Sequence, residues 1–176
     1  MTAPKRLLVS ACLIGQPVRY DGATNTNKVQ HLEHWLQRWQ AEGRLVPVCP
    51  ESLGGLPTPR PAAEIINADG DKVLDGLGQV ETADQTSVTD QFILGAQATL
   101  ATAQREGINA ALLAARSPSC GKGLIYDGSF TRQPTEGNGV TVALLLRHDI
   151  QCFTPDDADA LIAFMEPDQN QNEPVN

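Results

Sequence analysis

Residues 5–12 read KRLLVSAC, a short apolar run that ends at a small residue and a cysteine. Such a run is typical of a buried parallel strand, which is apolar on both faces because helices cover it on each side. Residues 44–49 (RLVPVC) and 109–115 (NAALLAA) repeat the pattern. The last run continues directly into RSPSCG at residues 116–121. We therefore predict three parallel strands, each leading into a cysteine.

The segments between these strands have apolar residues at helical spacing and are predicted to be helices. Apolar residues recur at helical spacing over residues 29–39 and 88–103, and Gly43 and Gly107 mark the predicted ends. Residues 139–147 predict a third helix, because the chain needs a crossover before the next parallel strand at about residue 150. The predicted strands and helices therefore alternate along the chain, which favours an α/β fold.

The remaining segments predict irregular structure and hairpins. Residues 50–61 carry too many prolines and glycines for a helix or a strand. Residues 63–77 predict a hairpin with its turn at Asp69-Gly70, and residues 124–130 predict a hairpin arm turning at Asp127-Gly128.

The end of the chain predicts one more helix followed by a tail. Thr154 is a predicted N-cap, since Pro155 and two aspartates follow it, and the helix is expected over about residues 156–165. The predicted fold class is α/β, a small open, mostly parallel, Rossmann-like sheet flanked by helices with inserted hairpins. Residues 1–165 are expected to form a single domain and residues 166–176 a disordered polar tail.

Composition excludes several classes of function. The chain of 176 residues carries a formal net charge of −8, so binding to whole nucleic acid is not expected. No apolar run approaches the roughly 20 residues of a membrane span, and the first residues lack the pattern of a signal peptide. These features predict a cytoplasmic protein that does not bind membranes.

The four cysteines indicate metal binding or reactive thiols, because disulfides are rare in a reducing compartment. Cys12, Cys49 and Cys120 each follow a predicted strand, and the carboxyl ends of parallel strands gather ligand sites at one edge of a sheet. Cys152 lies inside a predicted strand instead. Three thiolates suit an iron–sulfur cluster, zinc or Cu(I), and spacing does not choose among them. The alternative is that these cysteines are small buried apolar residues.

Six ordered motifs accompany the cysteines and cover nearly the whole chain, from about residue 5 to residue 153. They are VSACLIG (9–15), VRYDG (18–22), VCPE (48–51), GGLPTPRP (54–61), SPSCG (117–121) and IYDG (125–128). Together they resemble the TudS family of thiouracil desulfidases. The acidic tail falls outside the resemblance.

The resemblance implies a [4Fe-4S] cluster held by Cys12, Cys49 and Cys120, with the fourth iron free of protein ligands. It implies removal of sulfur from thiouracil without net redox change. In the implied course the open iron binds the thiocarbonyl sulfur, water adds to the carbon, and the cluster retains the sulfur. The iron is expected to serve as a Lewis acid.

The resemblance also implies two catalytic residues, Glu51 and Ser117. A carboxylate two residues after a cluster ligand can take and return the proton that addition of water requires. The alternative for Glu51 is a cap on backbone N–H groups in a tight loop. Ser119 flanks the same proline as Ser117, so either hydroxyl could face the substrate.

Three further loop residues, Arg19, Asp21 and Arg60, are candidates for substrate binding at the same edge. Loop arginines and aspartates also commonly pair with one another, so structural ion pairs are the alternative.

The sequence thus predicts an enzyme whose partner is a small thiolated pyrimidine. Two other interpretations stay open. One is a non-catalytic metal or redox-sensing module with a structural three-cysteine site, and the other is a thiol hydrolase with Cys120 as nucleophile. The second lacks a base, because no histidine lies near the cysteine loops in the sequence.

Overall fold

The chain alternates strands and helices in the computed structural model, which describes residues 4–167. The elements, in chain order, are β1 (Leu7–Ser10), α1 (Glu33–Ala41), β2 (Leu45–Val48), α2 (Pro50–Leu53), β3 (Ala63–Ile66), α3 (Gly70–Leu74), β4 (Gln79–Thr82), α4 (Thr89–Glu106), β5 (Ala110–Leu112), β6 (Leu124–Tyr126), β7 (Pro134–Glu136), α5 (Val140–Arg147), β8 (Gln151–Phe153) and α6 (Ala158–Met165).

The central sheet has four parallel strands in the order β2-β1-β5-β8. Leu8 of β1 pairs with Val46 of β2 on one side and with Ala111 of β5 on the other. The predicted α/β class with a small parallel sheet is therefore confirmed. The register places the carboxyl ends of β2, β1 and β5 side by side.

Helices cover both faces of this sheet, as the apolar runs of its strands require. On one face Leu7 and Val9 pack with Leu36 of α1 and Leu161 of α6. On the other face Leu8 packs against residues of α4 and α5, among them Leu100, Ala103, Val142 and Leu145. The alternation of Leu7, Leu8 and Val9 between two apolar clusters accounts for the unbroken apolar run in β1.

A second layer of structure packs beyond α4 and α5. Two antiparallel strand pairs, β3 with β4 and β6 with β7, belong to it. Its core includes Ile65 of β3, Val80 of β4, Phe92 of α4 and Ile125 of β6. This layer supplies one wall of the cavity described below.

The predicted hairpin at residues 63–77 is wrong. The strands β3 and β4 do pair, but α3 separates them, and Asp69 caps that helix by accepting the Lys72 N–H at 3.0 Å. Aspartate and glycine serve helix starts as well as turns. Gly70 is required here by packing, because a Cβ at this position would lie 2.3 Å from the Gly139 carbonyl oxygen.

Residues 50–61 are irregular as predicted, except that their first turn is the helix α2. Proline at the first helical position is compatible with a helix start, which the proline content of the segment obscured. The α2 and α4 helices approach so closely that a Cβ on Gly95 would lie 1.9 Å from the Pro50 carbonyl oxygen, and one on Gly54 would lie 2.0 Å from that of Gln91. This contact fixes α2 relative to the sheet.

The predicted hairpin beginning at residue 124 forms, with a longer turn than Asp127-Gly128 alone. The strands β6 and β7 pair, and residues 127–133 connect them. The Asp127 N–H donates to the Gln133 carbonyl at 3.0 Å and closes this loop. We call residues 127–133 the β6–β7 loop.

The predicted tail lies largely outside the described residues, from residue 168 onward. Glu166, which the sequence assigned to that tail, is bound: its carboxylate pairs with Arg44 at 2.7 Å and accepts the Trp39 indole N–H at 2.9 Å. Among the helices of residues 4–167, none is long and apolar enough to cross a membrane.

We predict that Thr154→Ala lowers the free energy of unfolding by about 1 kcal/mol, the typical cost of losing an N-cap. Thr154, which the sequence predicted as an N-cap, forms a capping box with Asp157 at the start of the last helical segment. Urea denaturation should show a lower midpoint with an unchanged slope. Thr131→Ala, in the exposed β6–β7 loop, is the matched control. Equal midpoints for the two variants would contradict this role for the cap.

Candidate metal centre and active site

A cavity of about 690 Å³ lies at the carboxyl ends of the central strands. Its lining includes every predicted cysteine ligand, both predicted catalytic residues and three of the four predicted substrate-binding residues: Cys12, Cys49, Cys120, Glu51, Ser117, Ser119, Arg19 and Arg60. The structure therefore brings together eight side chains that are dispersed over 109 residues of sequence, from position 12 to position 120. Asp21 is not among the described lining residues.

The first two cysteines are placed by the turns that follow β1 and β2. Cys12 lies in the 3₁₀ turn Ala11–Ile14, and its carbonyl accepts the Asn25 N–H at 2.7 Å, which ties the following loop to the site. Cys49 is the N-cap residue of α2, and its carbonyl accepts the Leu53 N–H at 2.9 Å. Both thiols are half-buried.

The third cysteine lies in a loop whose carbonyls accept hydrogen bonds from the first N–H groups of α5. The Pro118 carbonyl accepts the Val140 N–H at 2.8 Å, and the Ser119 carbonyl accepts the Thr141 N–H at 2.9 Å. Helix N-termini leave such N–H groups without intrahelical partners, so the loop and the helix fix each other. Cys120 is thereby held in place and is only 6% exposed.

Burial raises the pKa of three thiols, those of Cys12, Cys120 and Cys152. It raises the pKa of Cys12, an effect that the Asn25 hydrogen bond partly offsets. Burial raises the pKa of Cys120 well above its usual range; the Ser10 hydroxyl opposes this, and the charge of Glu51 adds to it. Burial also raises the pKa of Cys152, to about 12, and that thiol lies in the apolar cluster under α4 and α5.

The donor set fits an iron–sulfur cluster better than a single ion. A zinc ion binds sulfur ligands at about 2.3 Å, so the sulfur atoms of its cysteines must all lie within that distance of one ion. Within residues 4–167 no three Cys, His, Asp or Glu side chains are placed to hold one metal ion. A [4Fe-4S] cluster is a larger body that binds each cysteine at a different iron, and three thiols lining one cavity suit it.

Glu51 and Arg60 form an ion pair inside the cavity. The Glu51 Oε2 atom contacts Arg60 Nη2, and the two side chains are 18% and 4% exposed. Arg60 is itself anchored, since it donates to the carbonyls of Pro57 and Val18 at 3.1 Å each. The ion-pair alternative for Arg60 is therefore realised, and the pair fixes the position of the Glu51 carboxylate.

The two candidate serines have different surroundings. Ser117 Oγ accepts the backbone N–H groups of Ser119 at 3.0 Å and Cys120 at 3.1 Å, and its hydroxyl hydrogen has no acceptor among the described residues. The Ser119 side chain is 1% exposed and bonds Thr141 Oγ1 at 2.7 Å. The Ser119 hydroxyl is thus bonded within the protein, whereas the Ser117 hydroxyl hydrogen has no acceptor among the described residues. Substrate binding by Ser119 stays a prediction.

Arg19 and Asp21 also form an ion pair, with Nη2 and Oδ2 3.3 Å apart. Asp21 closes its own loop by accepting the Ala23 N–H at 3.0 Å, so its carboxylate serves the loop rather than the cavity. Arg19 lines the cavity and donates to Asn25 Oδ1 at 3.0 Å. Substrate binding by Arg19 and Arg60 stays a prediction.

Sequence reasoning missed Glu64, which lines the cavity and is 7% exposed. Its Oε1 atom accepts the N–H groups of Gly128 at 3.0 Å and Phe130 at 3.2 Å, and it makes no ion pair with a described residue. Phe130 and Arg132 of the same β6–β7 loop line the cavity and have φ angles of 59° each. Glu64 thus anchors a loop whose backbone is locally unfavourable for residues with a side chain. No local sequence pattern signals this contact, which joins positions 64 residues apart.

No histidine lines the cavity within the described part of the chain. His31, for example, bonds the Pro155 carbonyl at 2.7 Å. A thiol hydrolase built on Cys120 would therefore lack the usual base, as the sequence predicted.

Comparison with known proteins shows the family to which this chain belongs. The sequence pattern of the 2-thiouracil desulfurase family matches residues 7–157. The uncharacterized protein YbbK of Bacillus subtilis (strain 168) is 42% identical over 140 residues, which cover 79% of this chain and 88% of YbbK. A solved structure described as the [4Fe-4S]-dependent thiouracil desulfidase TudS superposes with a TM-score of 0.81 at 42% identity, covering 93% of this chain and 99% of that one.

The protein is thus an α/β protein with a thiol-lined cavity at the edge of its sheet. The chain belongs to the 2-thiouracil desulfurase family. The family resemblance inferred from the six sequence motifs is confirmed.

We predict that Glu64→Ala speeds amide hydrogen exchange in residues 127–133 by about 30-fold, because it removes two hydrogen bonds that contribute about 1 kcal/mol each. Glu64→Gln is the matched control, because its amide oxygen can accept the same two N–H groups. Mass spectrometry of peptides from the β6–β7 loop provides the measurement. Unchanged exchange in Glu64→Ala would show that the loop holds itself.

Proposed function

We propose that this protein removes sulfur from a thiolated pyrimidine such as thiouracil. Thiouracil and water would give uracil and hydrogen sulfide, a hydrolysis without net redox change. The observation that carries the proposal is that three thiols, the Glu51 carboxylate and the Ser117 hydroxyl all line a single cavity. The name of the TudS neighbour supports the substrate class.

The proposed cofactor is a [4Fe-4S] cluster held by Cys12, Cys49 and Cys120. When bound, the cluster supplies an iron without a protein ligand, a Lewis acid that takes the sulfur of the substrate. The neighbour described as [4Fe-4S]-dependent supports this cofactor, as does the placement of the three thiols. The four cysteines are free thiols, which is consistent with the reducing cytoplasm that we propose as the location.

Glu51 is the proposed general acid–base group. Addition of water to the ring carbon requires removal of one proton, and loss of the sulfur requires proton delivery. The Glu51 carboxylate lies in the cavity and follows the cluster ligand Cys49 by two residues. Arg60 holds one carboxylate oxygen, so the other oxygen is left to exchange the proton.

Ser117 is the proposed donor of a hydrogen bond to the substrate. Its oxygen is occupied by two backbone N–H groups, which direct its own hydrogen elsewhere. A donor held in this way can orient a ring carbonyl or relay a proton at low cost in reorganisation. Ser117 precedes Pro118 in the loop that hydrogen-bonds to the start of α5, and this fixed backbone supports an orienting role.

The ligand assignment predicts that Cys12→Ser, Cys49→Ser and Cys120→Ser each fail to retain the cluster. Cys152→Ser should bind it as the wild type does, because Cys152 lies in the apolar core. Iron and sulfide content after anaerobic reconstitution provides the measurement. A cluster that survives loss of any one of the first three cysteines would overturn the three-ligand assignment. Zinc without iron in the native protein would favour the structural module instead.

The catalytic assignment predicts that Glu51→Gln keeps the cluster and loses about 10²–10⁴-fold in turnover, the usual contribution of a general acid–base group. Ser117→Ala should lose less, because it removes only an orienting bond. Release of uracil from thiouracil by equal amounts of cluster-loaded protein provides the measurement, and Glu136→Gln on the exposed strand β7 is the control. Full activity of Glu51→Gln with an intact cluster would make the carboxylate structural.

A further inference from the structure

Each of the three proposed ligand sulfurs receives a hydrogen bond from a side chain. The pairs are Ser52 Oγ to Cys49 Sγ at 3.2 Å, Asn25 Nδ2 to Cys12 Sγ at 3.6 Å, and Ser10 Oγ to Cys120 Sγ at 3.8 Å. The fourth cysteine differs. Among the described residues Cys152 Sγ has only the Ile150 carbonyl as a partner, at 3.7 Å, and no side-chain donor. The donors therefore accompany the cavity thiols and not cysteine in general.

The Ser10 hydroxyl is oriented by a second bond. Its oxygen accepts the Ala114 N–H at 3.1 Å, and the residue is 3% exposed. With that N–H on its oxygen, the hydroxyl hydrogen is free to point at Cys120. Ser10 ends β1 and Ala114 follows β5, so the contact depends on the pairing of these two strands.

The Asn25 amide is oriented in the same way. Its Oδ1 atom accepts from Arg19 Nη1 at 3.0 Å, which assigns the carbonyl side of the amide and turns the NH₂ group towards Cys12. Arg19 is held in turn by Asp21. The Arg19–Asp21 ion pair, which the sequence offered as the alternative to substrate binding, thus supports a donor to a ligand sulfur.

The Ser52 hydroxyl reaches back from the third residue of α2 to the N-cap residue Cys49. A capping box uses the same spacing, with the third residue bonded to the N-cap backbone. Here the acceptor is the N-cap sulfur. Ser52 is exposed, so its side chain can be replaced without creating a cavity.

We propose that Ser10, Asn25 and Ser52 are positioning residues that donate to the cluster-ligand sulfurs and thereby set the reduction potential of the bound cluster. The inference rests on the proposed function, since it takes the three cysteines as ligands. A hydrogen bond to a ligand sulfur stabilises negative charge, and the reduced cluster carries more of it. Each donor therefore raises the potential. A cluster with less negative charge would also make its iron without a protein ligand a stronger Lewis acid.

The test compares variants that lose a donor with variants that keep it. Ser52→Ala removes the hydroxyl, Ser52→Thr keeps it, and Ser87→Ala removes an exposed hydroxyl outside the cavity. Asn25→Asp keeps the oxygen that accepts from Arg19 but replaces the donor by an acceptor. The readout is the midpoint potential of the reconstituted cluster in an anaerobic redox titration followed by electron paramagnetic resonance.

We expect Ser52→Ala and Asn25→Asp to shift the midpoint to more negative potential, with Ser52→Thr and Ser87→Ala near the wild type. Asn25→Asp should show the larger shift, because it also places a negative charge beside Cys12. A wild-type cluster whose potential is the same in Ser52→Ala and Asn25→Asp would overturn this inference and leave the proposed function intact. Failure of the wild type to bind a cluster would overturn both.

Discussion

Leu8 of β1 pairs with Val46 of β2 and with Ala111 of β5, and this shared register makes three parallel strands end together. The placement of the three cysteines follows from that alignment. A parallel strand can be followed by a turn of any shape, because its connection to the next strand is a long crossover rather than a hairpin. The three turns that follow β1, β2 and β5 each carry one cysteine into the same cavity. The apolar strands beneath them are covered on both faces, which makes the edge rigid.

Contacts between residues far apart in the sequence also hold the carboxyl-end edge of the sheet in place. The loop before Cys120 satisfies the N–H groups at the start of α5, and the helix after Cys49 packs on α4 at a distance that only glycine permits. Both contacts fix backbone rather than side chains. A ligand on such a backbone loses little freedom when it binds metal, and the metal site is correspondingly preorganised.

Local sequence signals were sufficient for the four strands of the central sheet, for the helices α1, α4, α5 and α6, and for the cap at Thr154, since each depends on neighbouring residues. The strand-end position also identified which cysteines share a cavity. The same reasoning failed at Asp69-Gly70, because aspartate followed by glycine begins a helix as readily as it makes a turn. It also missed Asn25 and Glu64, whose roles depend on partners at positions 12, 128 and 130. Ser117 and Ser119 differ because their loop hydrogen-bonds to the start of α5, where Thr141 bonds the Ser119 hydroxyl. The residues next to Pro118 in the sequence do not predict this contact.

The charges in the cavity bear on how the thiols can be used. A nucleophilic cysteine needs a lowered pKa and partial exposure, which a nearby cation or helix start usually provides. Cys120 has the opposite surroundings, because it is 6% exposed, burial raises its pKa and the Glu51 charge adds to that rise. Both effects disfavour the thiolate form that a nucleophile needs. A metal reverses this logic, since coordination removes the thiol proton outright and the positive ions offset the buried negative charge. Burial thus favours a ligand over a nucleophile at Cys120, and the Arg60 ion pair lets a carboxylate remain beside it.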